Sequence, residues 1–174
     1  MNELELLLER WANFYLITSA AAATLIGLLF VVITLAAERM PLEETTKIRI
    51  YLTPTVVFFG SVLEVAALLT FPNHTPLTAT VCICLMGVVG LVYSGSLFIG
   101  DVKKTFYARH DLIPHAVLPF AAYGLLVWGG ILLLRDPQRG LTLVAVGMLS
   151  LLTIGIRNSW AIAIGVVSTR PRRH

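Results

Sequence analysis

The apolar residues of this chain fall into five long runs, and most of its charged residues lie in short clusters between them. A helix needs about 20 apolar residues to cross the hydrocarbon core of a bilayer, and each run reaches that length. Because polarity does not alternate within the runs, a transmembrane barrel is not expected. The pattern predicts an all-α integral membrane bundle of five transmembrane helices, at about Trp11–Ala37, Ile50–Phe71, Leu77–Gly100, Pro114–Leu134 and Gly140–Ser168.

The composition agrees with this pattern. Of the 174 residues, 57% are hydrophobic and 13% are charged, whereas soluble domains carry about 25% charged residues. These values exclude an intrinsically disordered chain. The five runs occupy most of the length, so we expect one transmembrane domain over residues 1–174. The acidic segment before Trp11 is either a separate interfacial helix or the start of an elongated first helix.

The distribution of lysine and arginine predicts the orientation. Twelve of the 13 basic residues lie in connections and tails, nine on the side of the C-terminus and three on the other side. Cytoplasmic connections of membrane proteins are enriched in lysine and arginine. We therefore expect the N-terminus outside, the C-terminus in the cytoplasm, and a multi-pass protein of the bacterial inner membrane. The basic C-terminal tail is expected to contact lipid headgroups, not nucleic acid.

Glu64 is the most informative polar residue, because it lies inside the second apolar run. An acidic group near the middle of a membrane costs about 2.5–3.5 kcal/mol on insertion scales, so its side chain is expected to face protein or water. Helical spacing places it on one stripe of small or polar residues with Thr53, Val57, Gly60 and Ala67. The carboxyl group either lines an ion or proton path or, protonated, bonds a neighbouring helix; exposure to lipid is the third alternative.

Arg157 and Asn158 form a second polar position, within the fifth run. An arginine at this depth is expected to extend to the cytoplasmic headgroups or to be buried against a neighbouring helix. Asn158, and Asp101 directly after the third run, lie on helix faces rich in small residues, which favour close packing. A direct bond between Glu64 and Arg157 is not expected, because they differ in depth by about 15 Å at 1.5 Å per residue.

Recognisable catalytic chemistry is absent from the sequence. It contains no phosphate-binding loop, metalloprotease motif or nucleophile elbow, so we expect no catalytic residue, no cofactor and no metal site. Cys82 and Cys84 point to different faces of one helix and are expected to fill apolar space. His110 and His115 lack the spacing of a metal pair.

Three functions are compatible with these features. The first is a homo-oligomeric channel or transporter for ions or protons, in which Glu64 faces the path. The alternative is a non-catalytic accessory or assembly subunit that docks to a larger membrane protein. An intramembrane enzyme acting on lipid is the third, and it lacks a clear acid–base pair beyond Glu64.

Overall fold

In the computed structural model the described residues of the chain form five α-helices. The structure describes residues 3–37, 42–72, 75–104 and 117–168, and these contain no β-strand. The predicted all-α class is therefore confirmed for the described residues. The helices are α1 (Glu3–Ala37), α2 (Leu42–Thr70), α3 (Pro76–Lys104), α4 (Leu118–Leu132) and α5 (Pro137–Ser168).

Within the described ranges, four helices are long and apolar enough to cross a membrane. The candidate spans are Leu4–Leu35, Leu52–Thr70, Pro76–Leu97 and Pro137–Ile164. The fourth helix, α4, is apolar but has only 15 residues, about 22 Å at 1.5 Å per residue. It is shorter than the predicted Pro114–Leu134, of which residues 114–116 lie outside the described residues. The apolar helices are those of a membrane protein.

Two of the connections end in caps that fix where the next helix begins. Thr75 and Thr78 exchange hydrogen bonds before α3: each hydroxyl accepts from the other residue's backbone N–H, at 3.2 and 3.0 Å. Before α5 the Asp136 carboxylate accepts from the Arg139 N–H at 3.1 Å and forms an ion pair with its side chain. In both cases proline follows the capping residue, where its missing N–H costs nothing.

The first helix is continuous from Glu3 to Ala37. Of the two alternatives for the N-terminal segment, the structure therefore has the elongated helix. Leu4 and Tyr15 are fully buried, so the start of α1 is packed into the bundle. Further along, the small residues Ala20, Ala23 and Gly27 face outward.

Helices α3 and α4 approach closely because two glycines of α3 face α4. A Cβ atom at Gly87 would lie 2.6 Å from the Val127 side chain, and one at Gly90 would overlap the Tyr123 ring. Small residues at such positions allow neighbouring membrane helices to pack tightly. The predicted packing role of the glycine face of α3 is thus confirmed.

Helices α4 and α5 pack in the same way, and α5 in turn contacts α2. A Cβ atom at Gly129 or Gly140 would lie 2.9 Å from the backbone oxygen of the other residue. In the C-terminal half of α5, Gly155 packs against the Phe59 ring of α2. The helices are therefore neighbours in the order α3, α4, α5, α2, and α1 packs mainly against α2. Direct contacts between α2 and α3 are sparse.

The outer surface of the bundle is apolar. Many large hydrophobic side chains are exposed on it, among them Ile17, Val92 and Trp160. A soluble monomer rarely exposes contiguous apolar surface of this kind, whereas lipid solvates it.

Candidate functional site

Glu64 lies on the outer surface of the bundle. Its side chain is exposed, and Thr53, Gly60 and Ala67 are exposed or half-buried on the same side of α2. A Cβ atom at Gly60 would meet nothing within 4 Å, so the surface is open there. The predicted stripe therefore exists as one face, and in the single chain it points away from the bundle. We call it the α2 outer face, defined by Thr53, Val57, Gly60, Glu64 and Ala67.

A buried hydrogen bond lies beside this face. The Tyr123 hydroxyl of α4 is 2.8 Å from the Ser61 hydroxyl of α2, and the two residues are 1% and 8% exposed. Ser61 also donates to the Val57 carbonyl at 2.9 Å. In the bond between Tyr123 and Ser61 either hydroxyl can be the donor. The bond joins two helices across the centre of the bundle.

Tyr123 fills the space between α2 and α3. Its ring packs against Gly90 of α3 and contacts the Phe58 ring of α2, with the ring centroids 6.4 Å apart. Its hydroxyl reaches Ser61 on α2. The side chain therefore acts as a spacer, which explains why α2 and α3 make few direct contacts.

Two further ionisable groups lie one helical turn from the residues that Tyr123 contacts. Glu64 follows Ser61 by three residues on α2, and Tyr93 follows Gly90 by three residues on α3. Tyr93 is half-buried and Glu64 is exposed, so the group is closed on the bundle side and open on the other. We call Ser61, Glu64, Tyr93 and Tyr123 the Tyr123 cluster.

The cluster lies near the middle of the apolar segment. Ser61 is the central residue of the candidate span Leu52–Thr70, and Glu64 is one turn nearer its C-terminal end, about 4–5 Å away along the helix. Glu64 is six residues before the end of the span at Thr70, so it lies about 9 Å from that end at 1.5 Å per residue.

Arg157 does not join the cluster. Its side chain is exposed, and Asn158 beside it is 7% exposed. Gly155 of α5 packs against Phe59 of α2, so Gly155 and Phe59 lie at the same height along the bundle. Since α2 and α5 are antiparallel, Glu64 and Arg157 then lie about 10 Å apart along the helix axes. No ion pair joins Glu64 to Arg157 in the described residues, as their predicted depths require. The side chain of Asp101, at the end of α3, lies outside the described residues.

Sequence reasoning missed Tyr123 and Ser61. Both lie in apolar runs, where a serine or threonine hydroxyl can be satisfied by a carbonyl of its own helix. Most hydroxyls here do bond one turn back, for example Thr142 to Gln138 at 2.8 Å and Thr153 to Leu149 at 2.8 Å. One signal in the sequence could have indicated Tyr123: it is a tyrosine within an apolar run. Buried tyrosines usually find a hydrogen-bond partner for the hydroxyl.

Other candidate chemistry is limited. Among the described residues no group of three or more His, Cys, Asp or Glu side chains is placed to hold a metal ion. Cys82 and Cys84 are free and half-buried, and the Cys84 thiol lies 3.6 Å from the Val127 carbonyl oxygen. His110 and His115 lie outside the described residues.

Comparisons with protein-family models, with curated proteins and with solved structures return no match for this chain.

Proposed function

We propose that this chain is a five-span membrane protein that self-associates through the α2 outer face and carries protons or cations past Glu64. The observation that supports this proposal is the exposure of Glu64 on an otherwise apolar surface. In the described residues of one copy, this carboxyl group lies on the outside of the bundle. Several copies arranged about a common axis would bring their Glu64 side chains together around one.

The energetic argument concerns the cost of leaving Glu64 in lipid. An acidic residue at mid-membrane costs about 2.5–3.5 kcal/mol on insertion scales. Covering the α2 outer face with another copy removes Glu64 from hydrocarbon and offers it polar partners. The small residues Gly60 and Ala67 on this face would let a second helix come close.

The five-span topology is supported by the neighbours of α4. This helix packs along both α3 and α5, through Gly87 and Gly129 respectively, and each of those two helices is long enough to cross a membrane. With α4 as a crossing, the count of nine basic residues against three supports a C-terminus in the cytoplasm.

A second candidate function is an accessory subunit of a larger membrane complex. The observation that favours it is the outward-facing set of small residues on α1, formed by Ala20, Ala23 and Gly27. A Cβ atom at Gly27 would meet nothing within 4 Å. This second open helix face is suited to docking against a different membrane protein.

The transport proposal is tested by proton and potassium flux in liposomes containing the purified protein. We expect Glu64→Gln, which keeps the shape of the side chain and removes its ionisable group, to lower the flux about tenfold, a barrier change of about 1.4 kcal/mol. Thr153→Val is the matched control, because Thr153 is exposed on α5 and lies outside the α2 outer face. Equal flux in Glu64→Gln and wild type would contradict the proposal.

A further inference from the structure

We propose that Arg157 and Trp160 hold the headgroup phosphate of one anionic phospholipid on the outer face of α5. The lipid belongs to the leaflet on the side of the C-terminus. This inference goes beyond the proposed transport function and does not rest on it, because the site lies on α5 and Glu64 lies on α2.

Arg157 is a cation without a counterion of its own. It is the only charged residue between Gly140 and Ile164, and no acidic residue follows Asp136 in the sequence. Its side chain is exposed, and no described residue forms an ion pair with it. A charge within a membrane span is costly unless a partner neutralises it, and an anionic lipid supplies that partner from the surrounding leaflet.

The depth of Arg157 suits a headgroup. It lies seven residues before Ile164, the end of the candidate span, which is about 10 Å at 1.5 Å per residue. An arginine side chain can extend toward the headgroups while its apolar stem stays in hydrocarbon. Trp160 is one turn nearer the end of the span, in the region where tryptophan is enriched in membrane proteins. Both side chains can therefore reach the same headgroup layer.

The two side chains offer hydrogen-bond donors on one side of the helix. Residues three apart are neighbours on a helix surface, and Trp160 is 69% exposed. A guanidinium donates two parallel hydrogen bonds to a phosphate, and the indole N–H can donate one more. The Ser159 hydroxyl donates instead to the Gly155 carbonyl oxygen, 2.8 Å away. The phosphate site is therefore assigned to Arg157 and Trp160.

The same face continues as a surface for acyl chains. Toward the middle of the membrane it exposes Ile156, Leu149 and Val146, which follow helical spacing from Trp160. This continuity favours a lipid over free inorganic phosphate, because an ion does not enter hydrocarbon. A lipid with net negative charge is favoured over phosphatidylcholine, whose ammonium group already neutralises its phosphate.

Quenching of Trp160 fluorescence by brominated lipids tests this inference. The full chain carries Trp160 as its single tryptophan, through Trp11→Phe and Trp128→Phe, in mixed vesicles where either phosphatidylglycerol or phosphatidylcholine is brominated. We expect a preference for phosphatidylglycerol of about fivefold, which corresponds to about 1 kcal/mol for one basic residue. Arg157→Gln should remove the preference. Arg157→Lys should retain part of it, because lysine keeps the charge but not the paired donors.

Arg172→Gln is the matched control, because it removes the same charge from the sequence after α5. It should leave most of the preference in place, and circular dichroism checks the folding of each variant. Equal losses in Arg172→Gln and Arg157→Gln would indicate diffuse attraction to basic residues and overturn the site. Absence of a preference in the starting protein, or an unchanged preference in Arg157→Gln, would also overturn it. Displacement of the lipid by inorganic phosphate would overturn its assignment as the ligand.

Discussion

Gly90→Val is expected to lower the free energy of unfolding by about 3 kcal/mol, the upper end of the usual cost of overpacking. A side chain at this position overlaps the Tyr123 ring. The ring cannot retreat easily, because it is 1% exposed and its hydroxyl is bonded to Ser61. The substitution must therefore separate α3 from α4 or displace Tyr123, and either change breaks the packing on which the cluster depends.

The measurement is reversible unfolding in mixed micelles of mild detergent and dodecyl sulfate, followed by circular dichroism. Gly124→Val is the matched control, because a Cβ atom at Gly124 of α4 would meet nothing within 4 Å. We expect this control to change stability by less than about 1 kcal/mol, the scale of helix propensity. Equal losses in the two variants would contradict the assigned packing of Tyr123 against Gly90.

Glu64→Leu is expected to make membrane insertion of the α2 segment more favourable by about 3 kcal/mol. The estimate is the difference between an acidic residue and leucine at the helix centre on insertion scales. The same substitution should abolish the flux proposed for Glu64. Such a gain in insertion with a loss of activity is typical of a polar residue retained in a membrane for function.

An in vitro translocation assay on residues 52–70 measures this difference as the ratio of inserted to translocated segment. Ala67→Leu serves as the control, since Ala67 lies on the same outer face one turn away and should change the insertion energy by well under 1 kcal/mol. A ratio for Glu64→Leu no higher than that of the control would show that Glu64 carries no cost in the bilayer.

Most of the helical architecture could be predicted from the sequence, because length and apolarity decide it. The runs around α1, α2, α3 and α5 correspond to the four candidate spans. The end of α4 was predicted too late, since residues 133–135 form a turn and α5 already begins at Pro137. The reason is the Asp136 cap, whose hydrogen bond to Arg139 starts α5 inside the polar connection of residues 135–139, before the apolar run that begins at Gly140.

The direction in which Glu64 faces was harder to predict. In a soluble protein the polar side of a helix faces water, but lipid is as apolar as the bundle core. A stripe of small residues therefore identifies a face without saying which side it is on. Gly87 and Gly90 lie on such a stripe and face α4, whereas Gly60 lies on another and faces outward. Only the three-dimensional packing distinguishes the two.

The hydrogen-bonded pair of Tyr123 and Ser61 was not predictable for a related reason. Tyr123 and Ser61 are 62 positions apart, on helices that are not consecutive in the chain. Helical spacing relates residues within one helix and carries no information about which helices meet. The Tyr123 cluster therefore emerges only when α2, α3 and α4 are packed.

The central claim is that a second copy of this chain covers the α2 outer face. Thiol cross-linking in membranes tests it most directly, with Gly60→Cys in a background where Cys82 and Cys84 are replaced by serine and with Thr153→Cys as the comparison. Both positions are accessible, half-buried on α2 and exposed on α5 respectively. We predict a cross-linked dimer with Gly60→Cys and little with Thr153→Cys. Absence of the Gly60 dimer, with the chain behaving as a 19.0 kDa monomer, would contradict the account.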